Sequence, residues 1–279
     1  MDTALRPRSA SELVDAAFRL LRRRYSAFLT LAVAATVPQL VVQLFFVLAG
    51  NGAPDALGRG LLALGMVTVL LGSLLYLGYY TVVAGAFAAL ADDAVRSDAP
   101  DVVAAVRVGA RRALSCLGVL LLYGLAVGAG MLLLLVPGIY VAVRLATAVP
   151  TCVVEGVGAR EALRRAWARG RGRAGHSFGV LAIALLVYLV PVVAASMVSG
   201  VLTVASGQLG GRVAGFLLES TVTVLLYPLI PLVTQLLYYD LRVRADGYDL
   251  EQMVDALEAM PGGAVSGGAA SGRPAPAGF

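Results

Sequence analysis

Long apolar runs separated by short arginine-bearing segments organise this chain. Uncharged residues fill 25–54, 60–91, 113–143, 145–154, 174–211 and, interrupted once by Glu219, 213–239. About 20 apolar residues suffice for a helix to cross a hydrocarbon core about 30 Å thick. The stretch 113–154 is too long for one crossing, because its 42 residues would extend about 63 Å as a single helix. Pro137-Gly138 near its middle is a strong turn signal. The pattern therefore predicts two spans folded at Val136-Pro137-Gly138. Six spans follow, at 25–49, 61–91, 113–136, 138–154, 176–206 and 213–239, in an all-α, polytopic integral membrane protein.

The segments between the runs have a helical period of their own. An amphipathic helix is expected within 1–24, and interfacial elbow helices are expected over 99–112 and 158–172. In the second, Val102, Val103, Val106 and Ala110 share a face beside Arg107 and Arg111; in the third, Leu163, Ala166 and Trp167 do so. Superimposing Phe18, Val106 and Trp167 aligns three units of elbow helix plus hydrophobic hairpin, a weak threefold repeat. A short amphipathic helix carrying Leu250, Met253, Val254 and Leu257 is expected over 241–260, and the Gly/Ala/Ser/Pro-rich segment 261–279 reads as disordered.

Composition agrees with this organisation. Hydrophobic residues make up 59% of the 279, charged residues 14%, and mean hydropathy is +0.84. A soluble domain carries about 25% charged residues, so this chain lacks the polar surface to face water all round. All 22 basic residues are arginines. With six spans, 19 of them fall at one side, in 1–24, 92–112, 155–173 and 240–279; only Arg59 and Arg212 fall opposite, and Arg144 lies within a span. The positive-inside rule then places both termini on the cytoplasmic side of a multi-pass membrane protein. The arginines of the elbows suit anionic lipid headgroups, with Arg107, Arg111, Arg164, Arg165 and Arg169 as candidate contacts. The expected partners are therefore the bilayer, its anionic headgroups and other membrane proteins. Nucleic acid is not expected.

Chemistry is sparse. Cys116 and Cys152 lie in apolar stretches and form no metal pattern. The single histidine, His176, stands at the start of the fifth span without the converging carboxylates that hydrolysis would need. No catalytic residue, metal or cofactor is expected, and the chain reads as a non-enzyme. Intramembrane ionisable groups are functional candidates by default. Arg144 and Glu219 fall at matching depths below one membrane surface, with Gln43 nearby in depth. They are expected to form a polar site built on an Arg144–Glu219 ion pair. Pro38, Pro150, Pro191, Pro228 and Pro231 interrupt the spans and can open carbonyls toward a cavity. Small-residue stripes at Thr81, Gly85 and Ala89, and at Gly124 and Gly128, permit close helix packing.

Several motifs together suggest a family. They are Arg6-Pro7-Arg8-Ser9 with Leu13 to Phe18, Pro137-Gly138-Ile139-Tyr140, Glu155-Gly156-Val157-Gly158, Ala162 to Trp167, and Leu237-Tyr238-Tyr239-Asp240-Leu241-Arg242. Through them the chain resembles the bacterial, actinobacterial-type membrane-domain family named after glycerophosphoryl diester phosphodiesterase. The motif positions are Pro137, Gly138, Tyr140, Glu155, Trp167, Tyr239, Asp240 and Arg242. The catalytic barrel that gives the family its name has no counterpart here, so the resemblance implies a stand-alone membrane domain and no substrate. The expected function is a non-catalytic scaffold or accessory component acting on envelope proteins or lipids. The alternative is a transporter or lipid-handling permease built on the Arg144/Glu219 site.

Overall fold

The computed structural model describes residues 9–49, 60–96, 100–205 and 208–258. The expected tail 261–279, the Arg6-Pro7-Arg8 motif and the loop 50–59 lie outside the described residues. Those described form helices and short connections, and six helical spans are long and apolar enough to cross a membrane. The protein is an all-α polytopic membrane protein.

Three units follow one another in the order elbow, span, span. The first consists of α1 (Ala10–Arg23), α2 (Tyr25–Ala49) and α3 (Gly60–Arg96). In the second, α4 (Val102–Arg111) leads into α5 (Ala113–Leu133), and the return span is split into α6 (Leu135–Leu145) and α7 (Ala148–Val154). The third has α8 (Ala159–Arg169), α9 (Ala174–Ala205) and a second split span, α10 (Gln208–Leu226) followed by α11 (Leu229–Glu258).

Local chemistry explains the elbow boundaries. Ser9 caps α1 through a reciprocal pair: the Glu12 amide donates to Ser9 Oγ (3.3 Å), and the Ser9 amide donates to Glu12 Oε2 (3.0 Å). Asp101 caps α4 by accepting from the Val103 amide at 2.8 Å and the Ala104 amide at 3.3 Å. Helix α4 thus begins at Val102, where Asp101 supplies the capping acceptor, and not at residue 99 as expected. Single residues, Arg24 and Arg112, join the first two elbows to their spans.

Two apolar cores hold the helices together. Leu13, Val14, Ala17 and Leu21 of α1 are buried in the larger core with Phe28 of α2, Phe87 and Leu90 of α3, and Leu229, Leu232 and Leu237 of α11. The smaller core joins Cys116 and Val119 of α5 to Cys152 of α7 and Ala162 and Ala166 of α8. Around these cores the outer faces are strongly apolar: Leu114 of α5 is 85% exposed, Leu132 90% and Val204 of α9 87%. Such a belt is what lipid tails would cover.

Two expectations are corrected. The second hairpin turns at Leu134, whose extended backbone (φ −166°, ψ 150°) separates α5 from α6. Pro137 and Gly138 instead lie in the first turn of α6. First-turn amides have no helical acceptor, so the missing proline N–H costs nothing there. Gly138 meets α5 closely: a Cβ at that position would lie 2.6 Å from the Met131 side chain. Second, no independent helix occupies 241–260. Helix α11 continues unbroken from Leu229 to Glu258, because no proline follows Pro231 until Pro261 and the helix tolerates the single Gly247. Helix α4 turns Ala105 and Gly109 toward the protein, while Val103 (67% exposed) and Val106 face outward.

Gly109 permits the closest of these approaches. An added Cβ would stand 2.6 Å from the Ala86 amide nitrogen of α3. Gly109→Val must push α4 off α3, and overpacking of this kind costs about 1–3 kcal/mol. The expected result is a lower thermal unfolding midpoint in detergent micelles, whereas exposed Val106→Ala leaves the midpoint nearly unchanged.

Candidate functional site

Where α11 leaves the larger core, its residues 238–244 are ringed by polar groups from four other helical segments. At the centre is Glu155, which follows the last residue of α7 and whose side chain is 10% exposed. Its Oε2 accepts from Arg165 at 2.7 Å. Oε1 accepts from Arg169 at 2.5 Å and from the Tyr238 hydroxyl at 2.8 Å. Arg169 also reaches Thr151 Oγ1 (3.3 Å), and its guanidinium lies 5.4 Å from the Tyr238 ring centre. One carboxylate therefore ties α7, α8 and α11 together.

Backbone conformation places this carboxylate. Gly156 takes up the left-handed region (φ 67°), which ends α7 in the way glycine commonly ends helices. Its carbonyl accepts from Arg112 at 2.8 Å, so the joint between α4 and α5 is pinned to the same turn.

Electrostatics follow from these contacts. Burial alone pushes the Glu155 carboxyl up, but the hydrogen bonds from Arg165 and Tyr238 and the charge of Arg169 outweigh it and hold the group below the usual carboxylate range. Glu161, on the outer side of α8, is drawn down to about 2 by Arg164 and Arg165.

Two further clusters complete the ring. Asp240, with only 4% of its side chain exposed, accepts from Arg244 Nε at 2.7 Å and lies 3.0 Å from His176 Nε2. Arg173 donates to the Arg244 carbonyl at 2.7 Å, tying the start of α9 to α11. On the other side, the Tyr239 hydroxyl donates to Asp92 and accepts from Arg96 Nε at 3.1 Å, which brings in the end of α3. Asp93 of α3 accepts from the Asp101 amide (2.9 Å) at the start of α4.

Arg144 belongs to this face of the protein, and the expected pair with Glu219 does not form. The buried guanidinium lies 3.9 Å from the Trp167 ring centre and 5.5 Å from that of Tyr140. It donates to the Trp167 carbonyl at 2.5 Å and to the Tyr140 hydroxyl at 3.0 Å. The two rings meet edge-on, 6.1 Å apart at 89°. The carbonyls of a helix's last turn lack amide partners. Here the Arg171 amide bonds to the Ala168 carbonyl, leaving that of Trp167 to Arg144. The arginine thus caps α8 at its negative end. Glu219 is half-buried on α10, which packs on α9 and α2, and Gln43 is exposed on α2. The depth match between Arg144 and Glu219 failed because it ignored where α8 folds back along α6.

The five candidate headgroup arginines separate into three groups. Arg107 and Arg111 are exposed on α4. Arg164 is exposed but paired with Glu161 at 2.8 Å. Arg165 and Arg169 turn inward to Glu155. His176 and Tyr238, not counted among the site residues from sequence, both join the ring; Tyr238 could have been found from its place in the Tyr238-Tyr239-Asp240 motif. Among the described residues no cluster of histidine, cysteine and carboxylate groups could hold a metal ion. No family model, curated protein or solved structure matches this chain.

Two measurements check the ring. Because the folded pKa of Glu155 is depressed, its contribution to stability is complete above the unfolded carboxylate range, near pH 4.3. It is lost as pH falls through the lower folded value. Glu155→Gln is expected to cost about 2 kcal/mol at neutral pH and to flatten this acid limb in micelle-based unfolding assays. Trp167 is the protein's one tryptophan, so its emission reports directly on Arg144. Arg144→Gln is expected to shift that emission and lower stability by about 1–3 kcal/mol, the cost of an unpaired buried carbonyl. Unchanged fluorescence would refute the stacked arrangement.

Proposed function

We propose that the protein is a non-catalytic membrane component that rests on anionic lipid through its elbow helices and organises neighbouring envelope proteins or lipids. The observation that carries this reading is the division of labour among its charged side chains. The buried ones, Glu155, Arg169, Asp240 and Arg144, are engaged in bracing helix against helix, which leaves no convergent acid, base and nucleophile among the described residues. Exposed arginines stand along every elbow, Arg22 and Arg23 on α1, Arg107 and Arg111 on α4, and Arg160 on α8, with Arg96, Arg171 and Arg242 exposed outside them.

An interfacial helix with an apolar side and a row of arginines suits a leaflet rich in anionic headgroups. The outward valines of α4, Val103 and Val106, supply that apolar side next to Arg107 and Arg111. In this reading the elbow face is cytoplasmic, the membrane is a bacterial inner membrane, and the chain is a stand-alone member of the family it resembles. The family's motif residues support it: Glu155, Tyr239 and Asp240 take part in the ring, and Tyr140 and Trp167 hold Arg144.

The test is lipid retention. Each arginine near an anionic surface contributes about 1 kcal/mol. Arg107→Gln combined with Arg111→Gln is therefore expected to weaken binding of anionic lipid about 30-fold, read by native mass spectrometry of protein released from nanodiscs of mixed charge. Equal retention by the double variant would remove the lipid-anchoring element of the proposal. Crosslinking in native membranes should recover specific protein neighbours, and recovery of bulk lipid alone would count against a scaffold.

A further inference from the structure

The two split spans break beside the same cavity, and they do so in the same register. A partly open space of about 170 Å³ is lined by Ala146, Val149 and Pro150 from the α6–α7 break and by Tyr227, Ile230 and Pro231 from the α10–α11 break. Each set falls at positions i, i+3 and i+4. The second span of the first unit closes the space with Tyr80, Ala84, Phe87 and Ala88 of α3. The cavity thus sits where the return spans of all three units meet.

Proline chemistry sets its polarity. In an unbroken helix the carbonyl of residue i accepts from the amide of i+4, but proline has no N–H. Ala146 and Tyr227 each follow the end of a helix, so their carbonyls lack an intrahelical donor, and Pro150 and Pro231, four residues on, have no N–H to offer across the break. Each break also starts a new first turn whose free amides could attract an anion. Yet the prolines occupy the third position of α7 and of α11, deleting a donor from each. Helices α6 and α10 both end here, and the carbonyl end of a helix carries partial negative charge. Thr234 also lines the space, and its hydroxyl proton is directed at the Ile230 and Pro231 carbonyls, at 3.1 and 2.8 Å. Its oxygen is left as an acceptor. No ionised side chain lines the cavity.

We infer that this cavity binds a small, weakly hydrated organic cation of the alkylammonium class. Three of the lining side chains are aromatic, Tyr80, Phe87 and Tyr227, the last two packed with ring centres 5.3 Å apart. Aromatic faces attract onium ions and tolerate their methyl groups. A bare inorganic cation demands a full shell of oxygen ligands, more than two freed carbonyls and a few hydroxyls supply. The volume falls short of the 300 Å³ or so at which sites for drug-sized ligands begin and exceeds the space one water needs, which restricts the ligand to a few heavy atoms. The site goes beyond the lipid-anchoring reading and does not depend on it: it concerns occupancy of the bundle interior, whatever the elbows contact.

The experiment is equilibrium dialysis of radiolabelled tetramethylammonium against the full-length protein in nanodiscs of zwitterionic lipid. Expected is saturable binding at one site per chain that neither sodium nor the neutral isostere tert-butanol displaces at equal concentration. Pro150→Ala and Pro231→Ala each return an N–H to a freed carbonyl. They should therefore fold at least as stably as the parent yet bind the ion about tenfold more weakly, the loss of one ion-directed carbonyl contact. Tyr80→Leu, on the unbroken α3, removes an aromatic face while keeping bulk and should weaken binding similarly. Absence of saturable binding overturns the proposal, and so does displacement by sodium or by tert-butanol. Folded proline variants with undiminished affinity do so as well, since the freed carbonyls would then play no part.

Discussion

A charge carried to membrane level must find its compensation within the protein, because hydrocarbon offers none. At Glu155, just past the end of a span and 10% exposed, this compensation is dense. Its carboxylate receives two arginines of α8 and the hydroxyl of Tyr238, so removing it strands positive charge as well as a phenol. Such one-sided losses are the costly kind, even though an intact buried pair adds little net stability over apolar packing. The knot therefore does less to make the bundle stable than to make its arrangement unique: α8 docks in one register on α7 and α11. Arg144 locks the same C-terminal half of α8 from α6, stacking on Trp167 and capping the helix with a charge-assisted bond.

The repeat gives this bracing its logic. Each unit begins with a helix that turns into its first span at an arginine-bearing joint: Arg24, Arg112, or the segment running from Gly170 through Arg171 to Arg173. Each unit's second span returns to the centre. Three return spans converge, two of them broken by proline at equivalent places, and their ends at the elbow face are tied by Asp92, Glu155 and Asp240. Apolar packing of small residues fills the space between. Gly85 shows how tight it is, since an added Cβ would lie 3.0 Å from the Gly109 Cα of α4 and 3.3 Å from Cys116 Sγ of α5. Gly124 and Gly128, by contrast, meet no neighbour, and their stripe belongs to the outer surface.

Fold class and unit order were legible in the sequence because hydropathy over twenty residues is a strong, local signal. Register was not. The turn at Leu134 carries no breaker, while the conspicuous Pro137-Gly138 sits harmlessly in a helix's first turn. The candidate site was half legible. The motif residues Tyr140, Glu155, Trp167 and Asp240 do converge, but sequence depth alone paired Arg144 with Glu219. That inference treated each span as a straight rod and each charge as needing an opposite charge. A planar guanidinium has other options, two aromatic faces and an orphan carbonyl, and only the folding-back of α8 brings them within reach. The same folding-back takes Arg165 and Arg169 away from the headgroups.

Helix α11 begins at the break beside the cavity, passes through the polar ring at Tyr238 to Arg244, and continues unbroken to Glu258. At 1.5 Å per residue its 30 residues form a rod about 45 Å long. Between Pro231 and the ring the rod has no break, so the Tyr238 and Asp240 contacts that fix its tilt at the elbow face also fix where Pro231 stands in the cavity wall.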